Sequence, residues 1–155
     1  MNRMEMIGFF REMAPGSSLE IFRESIQDRA RNQAAYPKAE VQGYLESGHP
    51  IFDIMETTLD VMKGSFRVPG GSSLVSDGRF VWRADLSAYI ETYNIDLPPH
   101  FISFVVENGF SVPPASLQNL LSVSAATERA LGFRVDGGAG PSASGRRAGS
   151  WNKQR

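Results

Sequence analysis

The chain has 155 residues, of which 41% are hydrophobic and 10% aromatic, a composition typical of a globular domain with a single core. It contains no cysteine, which excludes disulfides, thiolate metal ligands and a thiol nucleophile. No apolar run approaches the roughly 20 residues of a membrane span, and the N-terminus lacks the apolar core of a signal peptide. We therefore expect a soluble, cytoplasmic protein with no membrane partner.

The net charge of −1 conceals an uneven distribution. Residues 134–155 carry five basic side chains and one acidic, a net charge of +4, whereas residues 1–133 carry 11 basic and 16 acidic, a net charge of −5. Residues 39–62 contain five acidic side chains and no Lys or Arg. Because phosphate binding requires the opposite sign, we expect no nucleic acid to bind the acidic body.

The first third of the chain predicts three amphipathic helices. Hydrophobic spacing predicts a short helix over residues 6–13. Ser17 stands three residues before Glu20, which is the spacing of a capping box and predicts a second helix over residues 17–31. A third helix is predicted over residues 38–47. The apolar side chains that define the three faces are Met6, Phe9, Phe10 and Met13; Leu19, Phe22 and Ile26; and Val41, Tyr44 and Leu45.

The segment Pro50–Met62 has two interpretations. As a helix, it places its apolar side chains broadly on one side and its carboxylates on the other. As a strand, Leu59–Val61 would pair with Phe66–Val68 across an intervening turn. We favour a helix to about Thr58.

A β-hairpin is predicted around Asp77-Gly78, because this dipeptide suits the two positive φ angles of a type I′ turn. That turn would place Val75 opposite Phe80. Trp82 would then share the face of Phe80, and the hairpin would carry apolar side chains on both faces.

Three further helices are predicted after the hairpin. Asp85 is a good N-cap for the first, Pro98-Pro99 open the second, and Pro113-Pro114 begin the third. Their predicted inward faces consist of Leu86, Tyr89, Ile90 and Tyr93; Phe101, Ile102, Val105 and Val106; and Leu117, Leu120, Leu121 and Leu131.

Together these elements predict an α+β protein. Residues 1–134 would form one helix-rich domain around a small antiparallel hairpin or sheet. Residues 135–155 are rich in Gly, Ser and Arg and have too few apolar residues to offset their chain entropy, so we expect a disordered tail.

No residue pattern points to catalysis. His49 and His100 are the only histidines, and neither lies in an HExxH or GxSxG motif. Residues 70–73 (GGSS) precede a strand and lack the lysine of a phosphate-binding loop, so we predict a turn there. We expect no catalytic residue, no metal site and no cofactor, and hence a protein that is not an enzyme.

Three carboxylates are the first candidates for partner binding. Asp53, Glu56 and Asp60 follow an i, i+3, i+7 spacing, which places them on one face of the favoured helix. A solvated face is the ordinary interpretation of such a stripe. The alternatives are an acidic docking surface for a basic protein, or the carboxylate or metal site of a small enzyme.

Trp82, Arg83 and Asp85 are the second set of candidates. A large aromatic side chain beside an arginine and a carboxylate could form an exposed anchor with a charged rim, since these residue types are enriched in binding hot spots. The alternative is that Trp82 packs in the core while its neighbours hold the junction between strand and helix.

The run SDGRFVWRADLSAYIETYNIDLP resembles a segment of small, mostly uncharacterised bacterial proteins. The matching positions are Asp77, Gly78, Trp82, Arg83, Asp85, Leu86, Tyr89, Tyr93, Leu97 and Pro98. Many proteins with this segment are immunity-type partners in toxin–immunity systems, and the resemblance covers about residues 41–110. It implies no catalytic residues.

The resemblance and the acidic body together lead us to expect an immunity-like protein. It would neutralise a cognate bacterial toxin, such as a basic nuclease-like domain, by occluding the active site through an acidic and aromatic surface. Two alternatives remain open: a small enzyme that uses Asp53, Glu56 and Asp60, or a nucleic-acid-associated regulator that uses the basic tail.

Overall fold

In the computed structural model, which describes residues 4–132, the chain has an α+β fold, and this confirms the predicted fold class. The helices are α1 (Lys38–Glu46), α2 (Leu86–Tyr93), α3 (Pro99–Glu107) and α4 (Leu117–Ala130). The strands are β1 (Glu5–Met6), β2 (His49–Phe52), β3 (Thr57–Leu59), β4 (Arg67–Pro69), β5 (Leu74–Ser76) and β6 (Phe80–Arg83). None of the described helices has the length and hydrophobicity of a bilayer-spanning helix. The tail predicted over residues 135–155 lies outside the described residues.

Four of the strands form a mixed sheet in the order β1-β6-β5-β2. β6 pairs with β5 in the predicted hairpin and with β1 in parallel, while β2 pairs antiparallel with the other side of β5. Phe80, Val81 and Trp82 are all fully buried, because elements of the fold cover both faces of the central strand. The strands β3 and β4 form a separate antiparallel ribbon.

The hairpin register differs from the predicted one by two residues. Val75 pairs with Trp82 instead of Phe80, and the turn has positive φ at Gly78 (99°) but not at Asp77. The carboxylate of Asp77 explains the shift, since its Oδ1 accepts hydrogen bonds from the two backbone N–H groups after Gly78, at 2.9 and 2.7 Å. A shift of two residues keeps every side chain on its predicted face.

The helices around the sheet keep most of their predicted inward faces. The predicted apolar residues of α1 and α2 are all buried, and in α3 both Phe101 and Val105 are buried while Val106 is exposed. For α4 the prediction is wrong at Leu117 and Leu121, which are 73% and 61% exposed. The buried face of α4 instead includes Val123 and Thr127, whose hydroxyl donates to the carbonyl of Val123.

The two helices predicted over residues 6–13 and 17–31 are wrong. Residues 5–6 form a strand, and three isolated 3₁₀ turns follow at Arg11–Met13, Glu20–Phe22 and Ile26–Asp28. Tertiary contacts override the helical spacing. The chain passes so close to α2 that a Cβ at Gly8 would lie 2.9 Å from the Cδ1 of Leu86.

The helix favoured up to about Thr58 is also wrong, because β2 and β3 occupy this region. The strand alternative is close to what is observed, with Thr58 opposite Val68 and Leu59 opposite Arg67. The turn predicted over residues 70–73 is confirmed, and a Cβ at Gly71 would lie 1.9 Å from the Oγ1 of Thr58. Glycine is therefore required where this turn passes the ribbon.

Candidate docking surface

The most exposed large apolar side chain between residues 4 and 132 lies in the connection from β2 to β3. Met55 is 88% exposed and Leu59 48% exposed. Asp53 and Glu56 are exposed beside them, and only Ile54 and Thr58 between residues 53 and 59 are partly buried. We refer to residues 53–59 as the docking segment, since it combines exposed apolar side chains with two carboxylates.

The ribbon extends this surface on one side. Leu59 stands opposite Arg67, and Thr57 stands opposite Pro69; all four side chains are exposed and lie at alternate positions of their strands. They therefore share one face of the ribbon. Arg67 places a positive charge beside the apolar Leu59. Asp53 and Glu56, which flank Met55 in the chain, place negative charges beside Met55.

Asp60 lies beneath this surface and is buried. Its carboxylate accepts hydrogen bonds from the backbone N–H groups of Met62 (2.8 Å), Lys63 (3.4 Å) and Ser65 (2.9 Å), and from the hydroxyl of Tyr93 on α2. Burial raises the pKa of Asp60, but these four donors outweigh it and hold the pKa below its ordinary value. Asp60 therefore fixes the loop between β3 and β4 as a charged acceptor.

A second tyrosine of α2 holds the same loop. The hydroxyl oxygen of Tyr89 accepts a hydrogen bond from the N–H of Val61 at 2.9 Å, and the ring of Phe66 packs edge-on against Tyr89 with centroids 4.9 Å apart. Burial raises the pKa of Tyr89 to about 12, and the carboxylates of Asp85 and Asp60 add to the shift. The loop is thus attached to α2 by hydrogen bonds and ring packing together.

Arg83 and Asp85 support the ribbon from the end of β6. Arg83 Nε and Nη2 donate to the two carboxylate oxygens of Asp85 at 3.1 and 2.8 Å, and the hydroxyl of Thr58 donates to Asp85 Oδ2 at 2.9 Å. Asp85 precedes α2 as predicted, but its carboxylate does not cap the helix. Because Asp85 also accepts a hydrogen bond from Thr58 in the ribbon, the bidentate pair of Arg83 and Asp85 fixes β3 to the sheet.

Trp82 is fully buried, so its prediction as an exposed anchor is wrong. Its Nε1–H donates to the carbonyl of Leu45 at 3.0 Å, and its ring packs against those of Tyr44 and Phe101, with centroids 6.0 and 5.8 Å away. The alternative interpretation, that Trp82 packs in the core, describes its position. A side chain with these contacts stabilises the fold and does not meet a partner.

The six predicted partner-binding residues therefore occupy three different environments. Asp53 and Glu56 lie on the docking segment, Asp60, Arg83 and Asp85 lie beneath it or hold it, and Trp82 lies in the core. The sequence interpretation missed Met55 and Leu59, because the helix assigned them to an inward face. The β-branched Thr57-Thr58 pair was the signal for a strand that would have exposed them.

The three carboxylates differ in their surroundings, since Asp53 and Glu56 are exposed and Asp60 is buried. Asp60 is committed to the loop, and Glu56 Oε1 accepts a hydrogen bond from the hydroxyl of Ser72 at 3.1 Å. No group of three His, Asp or Glu side chains within residues 4–132 could hold a metal ion. An open groove of about 840 Å³ beside β1 is lined by none of the three carboxylates.

The two histidines are engaged by other parts of the fold. His49 Nε2 lies 2.9 Å from the carbonyl oxygen of Pro113, and His100 Nε2 lies 2.8 Å from Oε2 of Glu5. The first contact joins β2 to the loop before α4, and the second joins α3 to β1. Both contacts connect neighbouring elements, which accounts for the histidines structurally.

No protein-family model, curated protein or solved structure was found to match this chain. The resemblance of residues 41–110 to immunity-type proteins therefore stays a prediction. The surface geometry is what supports an inference about function.

Proposed function

We propose that this chain is an immunity-like, protein-binding protein that neutralises a cognate bacterial toxin in the cytoplasm by covering its active site. The observation that carries the proposal is the exposed side chain of Met55 between the exposed carboxylates of Asp53 and Glu56. An apolar side chain with this exposure gains free energy when a partner removes it from water. Methionine is also adaptable in shape and is often used at binding surfaces.

The carboxylates and the apolar side chains of the docking segment have separate roles in this proposal. Asp53 and Glu56 attract a basic partner and accelerate association, an effect that salt screens. Met55 and Leu59 enter an apolar pocket of the partner and slow dissociation. The charge of −5 over residues 1–133 favours a partner with a basic active site, such as a toxin that cleaves nucleic acid.

The buried carboxylates prepare the docking segment for binding. Asp60, which follows β3, accepts hydrogen bonds from the loop, and Asp85 accepts one from Thr58 in the middle of β3. A segment that is already ordered loses less conformational entropy when it binds. The hydrogen bonds of Asp60 and Asp85 beneath the docking segment thus support association without touching the partner.

The experiment that tests this function is co-expression with the product of the adjacent gene, followed by co-purification and a growth assay. We expect that product to arrest growth on its own, and this chain to bind it and restore growth. Met55→Ser and the double variant Asp53→Asn/Glu56→Gln should weaken rescue. A harmless neighbour, or rescue without a complex, would contradict the proposal.

Matched control variants separate the docking segment from general surface effects. Leu117→Ser changes a similarly exposed apolar side chain on α4, and Glu40→Gln/Glu107→Gln removes two exposed carboxylates on α1 and α3. Both controls should rescue growth as the wild type does. The on-rate should fall with salt for the wild type and less steeply for Asp53→Asn/Glu56→Gln.

A further inference from the structure

The turn of the β5–β6 hairpin presents an arginine from a fixed backbone position. The N–H of Arg79 donates to Oδ1 of Asp77 at 2.9 Å, and its carbonyl accepts from the N–H of Glu5 at 3.0 Å. Its guanidinium carbon lies 5.0 Å from the ring centroid of Phe80 and 5.7 Å from that of Phe104. Hydrogen bonds therefore fix the backbone of Arg79, and two aromatic rings position its guanidinium group.

Arg79 has no counter-ion within the described part of the chain. The other two partly buried arginines there are both paired, Arg29 with Glu24 and Arg83 with Asp85. Nε of Arg79 is buried and donates to no acceptor, and no ion pair or hydrogen bond of its Nη atoms is found within residues 4–132. A partly desolvated guanidinium without an acceptor leaves hydrogen-bonding capacity for a ligand.

We propose that Arg79 receives a carboxylate from an acidic side chain of a protein ligand. The planar guanidinium suits the bidentate geometry of a carboxylate, and stacking on two rings leaves its donors in one plane. Nucleic acid is disfavoured, because its phosphates need several cationic side chains, whereas Glu5 lies beside the turn and residues 1–133 carry a net charge of −5. The proposal rests on the proposed protein-binding function. It adds a second contact, in which this chain supplies a positive charge where the docking segment supplies negative ones.

This contact is separate from the docking segment. β5 begins at Leu74, which pairs with Phe52 just before the docking segment, and ends at Ser76, just before the turn that carries Arg79. The two surfaces therefore lie at opposite ends of the same strand. Each can be tested without the other.

The experiment is an NMR titration of the full chain, labelled with ¹⁵N at the arginine side chains. The ligand is the peptide acetyl-Gly-Ala-Glu-Ala-Gly-amide, and its Gln counterpart is the control. We expect the Arg79 Nε–H signal and the Phe104 ring signals to shift saturably with the Glu peptide only. Exposed Arg67 should show a linear ionic response. The same response at Arg79 and Arg67, or equal shifts with both peptides, would overturn the proposal.

Variants provide a second measurement that does not depend on the toxin. Arg79→Gln should abolish the saturable Phe104 shift, and Arg79→Lys should weaken it, because lysine keeps the charge but loses the planar donors. Both variants should fold, since the side chain donates no hydrogen bond within residues 4–132. A Phe104 shift that persists in folded Arg79→Gln would contradict the proposal. A saturable shift in a protein that binds no toxin would refute only the proposed function.

Discussion

The β5–β6 hairpin and the β3–β4 ribbon are both antiparallel pairs of short strands, but the fold holds them by different forces. The hairpin is enclosed in the core, where Phe80 and Trp82 are fully buried. The ribbon lies outside the four-stranded sheet, and the buried carboxylates of Asp60 and Asp85 attach it to the rest of the fold. Apolar burial therefore secures the hairpin, whereas the ribbon depends on hydrogen bonds to charged acceptors in addition to the packing of Phe66 against Tyr89.

The hairpin and the ribbon should therefore respond differently to substitution. Loss of apolar packing in the hairpin leaves a cavity and destabilises the whole domain. Loss of an acceptor under the ribbon leaves buried N–H groups unsatisfied and opens the ribbon locally. The ribbon should also respond to pH through Asp60, because hydrogen bonds hold the pKa of that carboxyl below its ordinary value.

The largest effect is expected at Trp82, because the indole fills the space between the sheet and the helices. Trp82→Ala should lower the free energy of unfolding by about 3–5 kcal/mol, the usual cost of truncating a buried aromatic side chain. Urea denaturation followed by circular dichroism measures the change. A loss below about 1 kcal/mol would show that Trp82 does not hold the core.

A smaller and more local effect is expected at Asp60. Asp60→Asn removes a charged acceptor shared by three backbone N–H groups and the Tyr93 hydroxyl, and should cost about 2–3 kcal/mol. Hydrogen exchange should accelerate at Met62, Lys63 and Ser65 more than in β6. Equal acceleration in both regions would contradict the separate attachment of the ribbon.

The same carboxylate predicts how stability depends on acid pH. The folded-state pKa of Asp60 lies below its ordinary value of 3.8, so its contribution is present above that value and is lost as pH falls through the folded pKa. Wild-type stability should therefore decrease below about pH 4 more steeply than that of Asp60→Asn. The pKa of Glu12 is also lowered, because the effect of burial, which raises it, is outweighed by hydrogen bonds from Ile26 and Ser25. Glu12 should therefore leave a residual pH dependence of stability in the variant. Identical pH profiles would contradict this role of Asp60.

A still smaller effect is expected at Tyr89. Tyr89→Phe removes one acceptor for the N–H of Val61 and should cost about 1 kcal/mol. The pKa of Tyr89 is raised from 10.0 to about 12, so the protonated hydroxyl stabilises the fold fully below pH 10 and loses that effect as pH rises towards 12. Thermal unfolding at pH 8 and pH 11 should show a smaller alkaline loss for the variant, and an unchanged loss would contradict the assignment.

The sequence predicted the elements whose signals are local. The helices α1 and α2 and their buried faces follow from hydrophobic spacing within each segment. The residues of the parallel pair β1–β6 are far apart in the chain, so no local pattern indicates that Glu5 and Met6 form a strand. Similarly, whether Leu117 faces the core depends on which neighbour α4 packs against.

The candidate surface was only half predictable for the same reason. Asp53 and Glu56 stand out by charge, but the exposure of Met55 depends on the ribbon, which the helical interpretation of residues 50–58 concealed. The structural roles of Asp60 and Asp85 depend on Tyr93 and Thr58, which are distant in sequence. Spacing shows where carboxylates are, but only tertiary contacts show what they bind.

The smallest effect on stability is expected at Met55. Substitution of this residue also tests the proposed role of the docking segment most directly. Met55→Ser should change the free energy of unfolding by less than about 0.5 kcal/mol, since the side chain is exposed. The decisive measurement is the Kd of the purified wild type and this variant for the product of the adjacent gene, with Leu117→Ser as control. We predict at least about tenfold weaker binding for Met55→Ser and wild-type binding for the control. Equal Kd values for all three proteins, or no complex with the wild type, would contradict the central claim.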